Sequence, residues 1–113
     1  MKQDKYKNFS QLALHEVAGK DYTIETQDRS ATATVLAIHG GNIEPGTSGI
    51  ARALAGQDYN LYLFEGRGWD LHIASHRFDE PQAVALAEKS QICVTIHAFI
   101  EETPLVCIGG NNT

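Results

Sequence analysis

The run Ala33-Thr34-Val35-Leu36-Ala37-Ile38 is apolar nearly throughout and stops at His39-Gly40-Gly41. A strand with one face in water alternates apolar and polar side chains, so this run predicts a central strand covered on both faces. Tyr59 to Phe64, Ile92 to Ile96 and Leu105 to Ile108 are further buried-strand candidates. Tyr22, Ile24 and Thr26 alternate with Thr23, Glu25 and Gln27 instead, the period of a half-buried edge strand.

Helical segments fall between these strands. Asn8 to Val17 predicts a short helix carrying Phe9, Leu12, Leu14 and Val17, with Gly19 beyond its end. Thr47 or Ser48 is expected to cap a helix running to Ala55, with Ile50, Ala53 and Leu54 inward and Gly56 as the stop. Asp79 is expected to cap a helix from Pro81 to about Lys89, buried through Val84, Leu86 and Ala87. Leu71 to Ser75 reads as a short extended piece. Strand and helix alternate, which predicts an α/β fold: an open, mixed and largely parallel sheet flanked by helices.

A chain of 113 residues fits one domain, residues 1–113. Nine Lys plus Arg stand against fourteen Asp plus Glu, a formal charge of -5. Duplex nucleic acid is therefore not the expected partner, because phosphate binding draws on surplus cations. No apolar run approaches the roughly 18 residues of a membrane span, and MKQDKYKNF lacks the apolar core of a secretory signal. A cytoplasmic product without a membrane partner is expected. Cys93 and Cys107 stand fourteen positions apart inside apolar runs, unlike the close pairs of zinc ribbons, and read as buried free thiols. The chain stops at Gly109-Gly110-Asn111-Asn112-Thr113, directly after a strand that needs a covering helix, and this ending looks premature.

His39 and His97 each stand just past a strand-like run, so both are expected at the carboxyl edge of the sheet, where open α/β sheets bind ligands. Gly40, Gly41, Asn42 and Ile43 form a bend able to fold Glu44 back toward His39. Two His and one Glu make a ligand set used by catalytic zinc, which acidifies water and polarises a carbonyl. From spacing alone two other readings stay open. His39 could be a hydrogen-bonded histidine beside a tight Gly-Gly turn. The glycines could instead cradle phosphate, although no Gly-Lys-Ser/Thr ending follows them.

The blocks AIHGGNIEPGTSGIARALAG, NLYLFEG, LHIASHRFDEPQAV, VTIHAF and LVCIGGNN, spread from about Asp21 to Asn111, resemble the poly-γ-glutamate hydrolases of phages and prophages. The resemblance implies a zinc-dependent hydrolase of γ-glutamyl amide bonds, with Zn2+ as cofactor, poly-γ-glutamate as substrate and a sheet similar to that of zinc carboxypeptidases. It also carries His39, Glu44 and His97 over as zinc ligands, and fits release on lysis. Members of that family are longer, and the general-base glutamate expected by similarity to carboxypeptidases falls in a carboxyl-terminal part that this chain lacks. The alternative to an active enzyme is thus an inactive remnant that binds metal or polyanion. An unfinished sheet would also favour self-association.

The remaining candidates are weighed against structural roles. His72 and Arg77 are substrate-binding candidates from the L-H-I-x-S-H-R segment, and Arg67 could likewise meet a carboxylate. Against this, His72 reads as a hydrogen-bonded histidine and both arginines as surface charge. Glu65 is the candidate substitute base at the end of its strand, or else the partner of a nearby arginine or a loop cap. His76 reads as exposed, and Glu101 and Glu102 as a solvated connection.

Overall fold

The computed structural model describes residues 4–99 and 105–112, with side chains through Ala98. The helices are α1 (Phe9–His15), α2 (Thr47–Ala55) and α3 (Pro81–Lys89). The strands are β1 (Tyr22–Gln27), β2 (Ala33–Gly41), β3 (Asn60–Gly66), β4 (Ile92–Phe99) and β5 (Leu105–Asn112). Single helical turns at Trp69–Leu71 and Ser75–Arg77 flank the stretch expected to be extended and take only its first and last residues; His72 between them is in extended backbone. Glu101, Glu102 and Pro104 lie outside the described residues, as does the side chain of Cys107.

The strands form one sheet in the order β1-β3-β2-β4-β5. The apolar run of β2 lies at its centre, parallel to both β3 and β4. The alternating β1 is an edge, antiparallel to β3, and β5 lies antiparallel to β4 at the other edge. The sheet is therefore mixed, with a parallel centre, as the patterning predicts.

Each face of β2 meets a different layer. Val35 and Ala37 pack with Leu61, Leu63 and Ile96 against Ala51 and Ala55 of α2. Leu36 and Ile38 join Tyr62, Phe64, Leu71 and Ile73 on the opposite face, with Leu12 of α1 and Leu86 of α3. No helix among the described residues is long and apolar enough to cross a membrane.

The helix faces depart from expectation. In α2 the buried residues are Thr47, Ala51 and Ala55, spaced four apart, whereas Ile50 and Leu54 are exposed. The reason lies in the first turn: the Thr47 hydroxyl donates to the Glu44 carbonyl at 2.9 Å and reaches the His39 carbonyl at 3.4 Å, which turns the small-residue face toward the sheet. Thr47 is thus the first helical residue, and the cap is Gly46, at a φ of 96°. In α3 the cap is Glu80, whose carboxylate accepts from Gln82 and Ala83 N–H groups, with Pro81 in the first turn. Asp79 instead accepts the Phe9 N–H at 2.9 Å and ties the start of α1 to that of α3. Val84 is exposed; Ala83 and Leu86 carry the packing. In α1 only Leu12 is buried; Leu14, and Val17 beyond the end of the helix, are exposed. Cys93 is half-buried, and that burial pushes its thiol up.

Buried tyrosines set the alkaline limit of the fold. Burial and the Glu16 carboxylate hold Tyr6 up to about 12. Tyr62, hydrogen-bonded to Glu80 at 2.8 Å, and Tyr22 are likewise raised, first by burial and then by the Glu80 charge. The unfolded chain releases phenolic protons from about pH 10 while the folded chain keeps them, so stability falls as pH rises above 10. Urea midpoints are expected to be level from pH 8 to 9.5 and to drop by pH 11, with the phenolate absorbance of Tyr6, Tyr22 and Tyr62 appearing only on unfolding. A level midpoint through pH 11 would contradict this account.

Candidate metal centre

The site begins with an irregularity in β2. Between Ala37, opposite Leu63, and Gly40, opposite Glu65, the strand advances by one residue more than β3. Ile38 and His39 together oppose Phe64, a β-bulge of the kind that re-aims side chains beside active sites. Ile38 therefore points into the α1/α3 face, and His39 follows it: the His39 ring meets the Ile73 carbonyl and stacks on His72. Gly40 then faces α2, where an added Cβ would lie 2.2 Å from Ser48 Oγ.

The bend after His39 behaves as expected. Gly41, at a φ of 66°, turns the chain, and the Glu44 N–H donates to the His39 carbonyl at 2.8 Å. Glu44 Oε2 then lies 3.3 Å from His39 Nδ1, and Glu44 Oε1 lies 3.6 Å from His97 Nδ1. Glu44 Oε1 also accepts the Ala98 N–H at 3.2 Å. His39 and His97 lie within β2 and β4 rather than past them, at their carboxyl ends, with ring centroids 5.3 Å apart. The structure thus brings His39, Glu44 and His97 together.

Protonation follows from the partners. The His39 ring is 2% exposed, and its Nε2 lies 2.6 Å from the Ile73 carbonyl. A carbonyl only accepts, so Nε2 carries a proton and Nδ1 is the ring nitrogen aimed toward Glu44. That Nδ1 is buried without a hydrogen-bond partner among the described residues. Burial works against charge on Glu44, but the contacts from His39 and His97 and the Ala98 N–H outweigh it and hold the carboxyl well below the usual carboxylate range. An acceptor nitrogen and an ionised carboxylate face each other here, which is stable only with positive charge between them, a proton on the imidazole or a metal ion. The donor set fits zinc.

His72 also belongs to this cluster. Its ring lies between Trp69 and His39, with centroids 4.1 Å from each, and its Nδ1 is 2.6 Å from Asp4 Oδ1. Ligand atoms from His39, Glu44 and His72 fit within 4.8 Å of one another, so His72 is a second candidate for the third position. Burial, followed by the charge of His39, lowers its pKa against the pull of Asp4, which leaves His72 neutral at pH 7. Asp4 had no signal in the sequence, being 68 positions from His72.

The other candidates separate. Glu65 lies on the α2 face, its Cγ beside Gly40 and its charge felt by Arg52, so the sheet divides it from the His39 ring. Arg52 itself pairs with Glu25, and among the described residues no arginine forms an ion pair with Glu65. Arg67 pairs with Glu16, Asp21 and Asp70 and is committed within the chain. Arg77 is exposed, its Nε donating only to His76 among the described residues. An open groove of about 590 Å³ runs from His97 along α3, walled by Ile38, Phe78, Val84 and Cys93.

The fold is a mixed α/β sheet with a His/Glu cluster, at the ends of its parallel strands, that could hold a metal ion. The chain belongs to the poly-gamma-glutamate hydrolase family, whose model matches residues 6–113. It is 39% identical over 114 residues to the UPF0714 protein YndL of Bacillus subtilis (strain 168), covering 97% of this chain and 44% of that protein. The SPbeta prophage-derived UPF0714 protein YoqZ of the same organism is 41% identical over 113 residues, covering 96% of this chain and 40% of YoqZ. Among solved structures, zinc-free apo YndL superposes with a TM-score of 0.83 at 40% identity, over 89% of this chain and 51% of that one. A bacteriophage poly-gamma-glutamate hydrolase gives 0.79 at 32% identity, over 82% of this chain and 47% of that one. The chain spans less than half the length of the curated relatives it matches.

Proposed function

We propose that this chain carries the zinc-holding portion of a hydrolase of γ-glutamyl amide bonds in poly-γ-glutamate, with His39, Glu44 and His97 as ligands. The carrying observation is the unpartnered Nδ1 of buried His39, 3.3 Å from an ionised Glu44. His97 is preferred to His72 on ring geometry. Two imidazoles sharing an ion must aim in-plane lone pairs at one point; the His39 and His72 planes are 29° from parallel and stacked, whereas His97 is tilted by 56°. Bound zinc supplies polarisation of the amide carbonyl and a water acidified toward neutral pH.

The chain's own residues prepare that chemistry. The Ile73 carbonyl keeps the proton on His39 Nε2, and Glu44 stays ionised. Arg77, exposed next to the Ser75 end of the groove, is the cation offered to a substrate carboxylate. The open sheet is read as carboxypeptidase-like, residues 1–113 as one folding unit, and the product as cytoplasmic until lysis.

A second reading, metal or polymer binding without turnover, is favoured by Glu65, which faces α2 and offers no base to the cluster. Incubation with zinc and poly-γ-glutamate separates the two. Zinc-dependent shortening that His39→Ala abolishes supports the enzyme; binding without shortening supports the second reading. Neither binding nor shortening would sink both. Arg77→Ala is expected to weaken polymer retention several-fold without changing zinc affinity, and unchanged retention would remove Arg77 from the site. The β5 edge motivates a further expectation, concentration-dependent association in sedimentation, since free strand edges template pairing. A monomer at every concentration would contradict it.

A further inference from the structure

Asp4 and the segment 69–74, distant in sequence, converge behind the His39 ring. Asp4 accepts twice from the segment 72–74: Oδ1 lies 2.6 Å from His72 Nδ1, and Oδ2 accepts the Ala74 N–H at 2.8 Å. Between those two anchors sits Ile73, whose carbonyl meets His39 Nε2 at 2.6 Å and whose side chain is 1% exposed. His72 itself fills the space between the Trp69 and His39 rings. The chain just after Asp4 is anchored in turn: Tyr6 donates to Glu16, and Glu16 is paired with Arg67 at 3.0 Å.

We propose that Asp4 is a positioning residue: by clasping His72 and Ala74 it holds the Ile73 carbonyl against His39 Nε2 and so fixes the tautomer and aim of the Nδ1 lone pair. The physical reason is that either ring nitrogen of a free neutral imidazole can carry the proton. Only an acceptor held at one of them commits the other to a ligand role. A backbone carbonyl in a turn-rich stretch is not held by a ladder. Here a carboxylate bridges the residues on either side of it, so the carbonyl cannot swing away without breaking charge-assisted contacts. The stacked His72 blocks rotation of the His39 ring from its other side.

The proposal rests on the zinc reading for its consequence but not for its mechanism, and the experiment separates the two. In the metal-free chain, at a pH high enough for the His39 ring to hold a single proton, nitrogen-15 shifts are expected to report that proton on Nε2 alone. Asp4→Ala is expected to turn that signal into a mixture, and Asp4→Asn, which can still accept the Ala74 N–H, to restore most of it. In a chelator competition, zinc affinity is expected to fall about 10–100-fold for Asp4→Ala, the usual effect of losing a partner behind a metal-binding histidine. His72→Phe, which keeps an aromatic ring in the stack, is expected to lose affinity over the same range. The double variant should lose little more than either single one, because both break the same clasp. A single Nε2-protonated tautomer in Asp4→Ala, or zinc affinity within twofold of the parent, would overturn the clasp. If Asp4→Ala does not fold, His72→Phe tests the clasp through the same two measurements, and a parental tautomer or parental affinity there would overturn it equally. A parent chain that fails to bind zinc would overturn the metal reading alone, since the tautomer comparison stands without metal.

Discussion

His39→Ala is expected to abolish measurable zinc binding, with a loss well beyond the 10–100-fold that follows removal of a partner behind a ligand. The variant removes the ligand atom itself and leaves Glu44, 12% exposed, facing a void. Glu44→Gln should lose zinc as severely, because it removes the one negative charge of the set. His97→Ala should lower affinity strongly while the sheet survives, since the His97 ring is 22% exposed and lies near the end of β4. Isothermal titration of the three variants, with circular dichroism to check folding, reads these outcomes. Near-parental affinity in His39→Ala or His97→Ala would remove that residue from the site, and an unfolded His97→Ala would make its role structural.

Gly41→Ala is expected to cost at least about 2 kcal/mol, because two penalties meet at one position. Its φ of 66° disfavours any side chain, by about 1–2 kcal/mol. An added Cβ would also lie 2.7 Å from the Gly66 carbonyl oxygen, a backbone atom of the neighbouring strand that cannot rotate aside. Gly46, at a φ of 96° with nothing within 4 Å, isolates the first penalty. Gly46→Ala should therefore cost only about 1 kcal/mol. The excess at Gly41 is the steric part. Urea unfolding of the pair measures the difference, and zinc affinity should fall in Gly41→Ala alone, because the 41–44 bend carries Glu44. Equal destabilisation of the two variants would contradict the close approach of β2 and β3.

The strand pattern was largely legible in the sequence. A uniformly apolar run must be covered on both faces, which placed β2 at the centre, and alternation placed β1 at an edge. The bend returning Glu44 to His39 was legible from its glycines. The bulge was not. Glu65 was a candidate base because it ends its strand at the same sheet edge as the histidines; strict alternation would also put His39 on its face, with Val35 and Ala37, but one extra residue in β2 sends His39 to the other face. The inward face of α2 was misread because small residues, Thr47, Ala51 and Ala55, pack against the sheet while larger Ile50 and Leu54 remain exposed. No periodicity announces that exchange. Asp4 was illegible for a different reason: its partners are 68 and 70 positions away, and only the folded chain brings them together.

Anomalous diffraction at the zinc edge, from crystals of the chain grown with zinc, is the most direct measurement of the central claim. The account predicts one peak at about 2.0–2.2 Å from His39 Nδ1, a Glu44 oxygen and a His97 nitrogen, with the Ile73 carbonyl still on His39 Nε2. A peak held by His72 in place of His97, or lying away from Glu44, would contradict it.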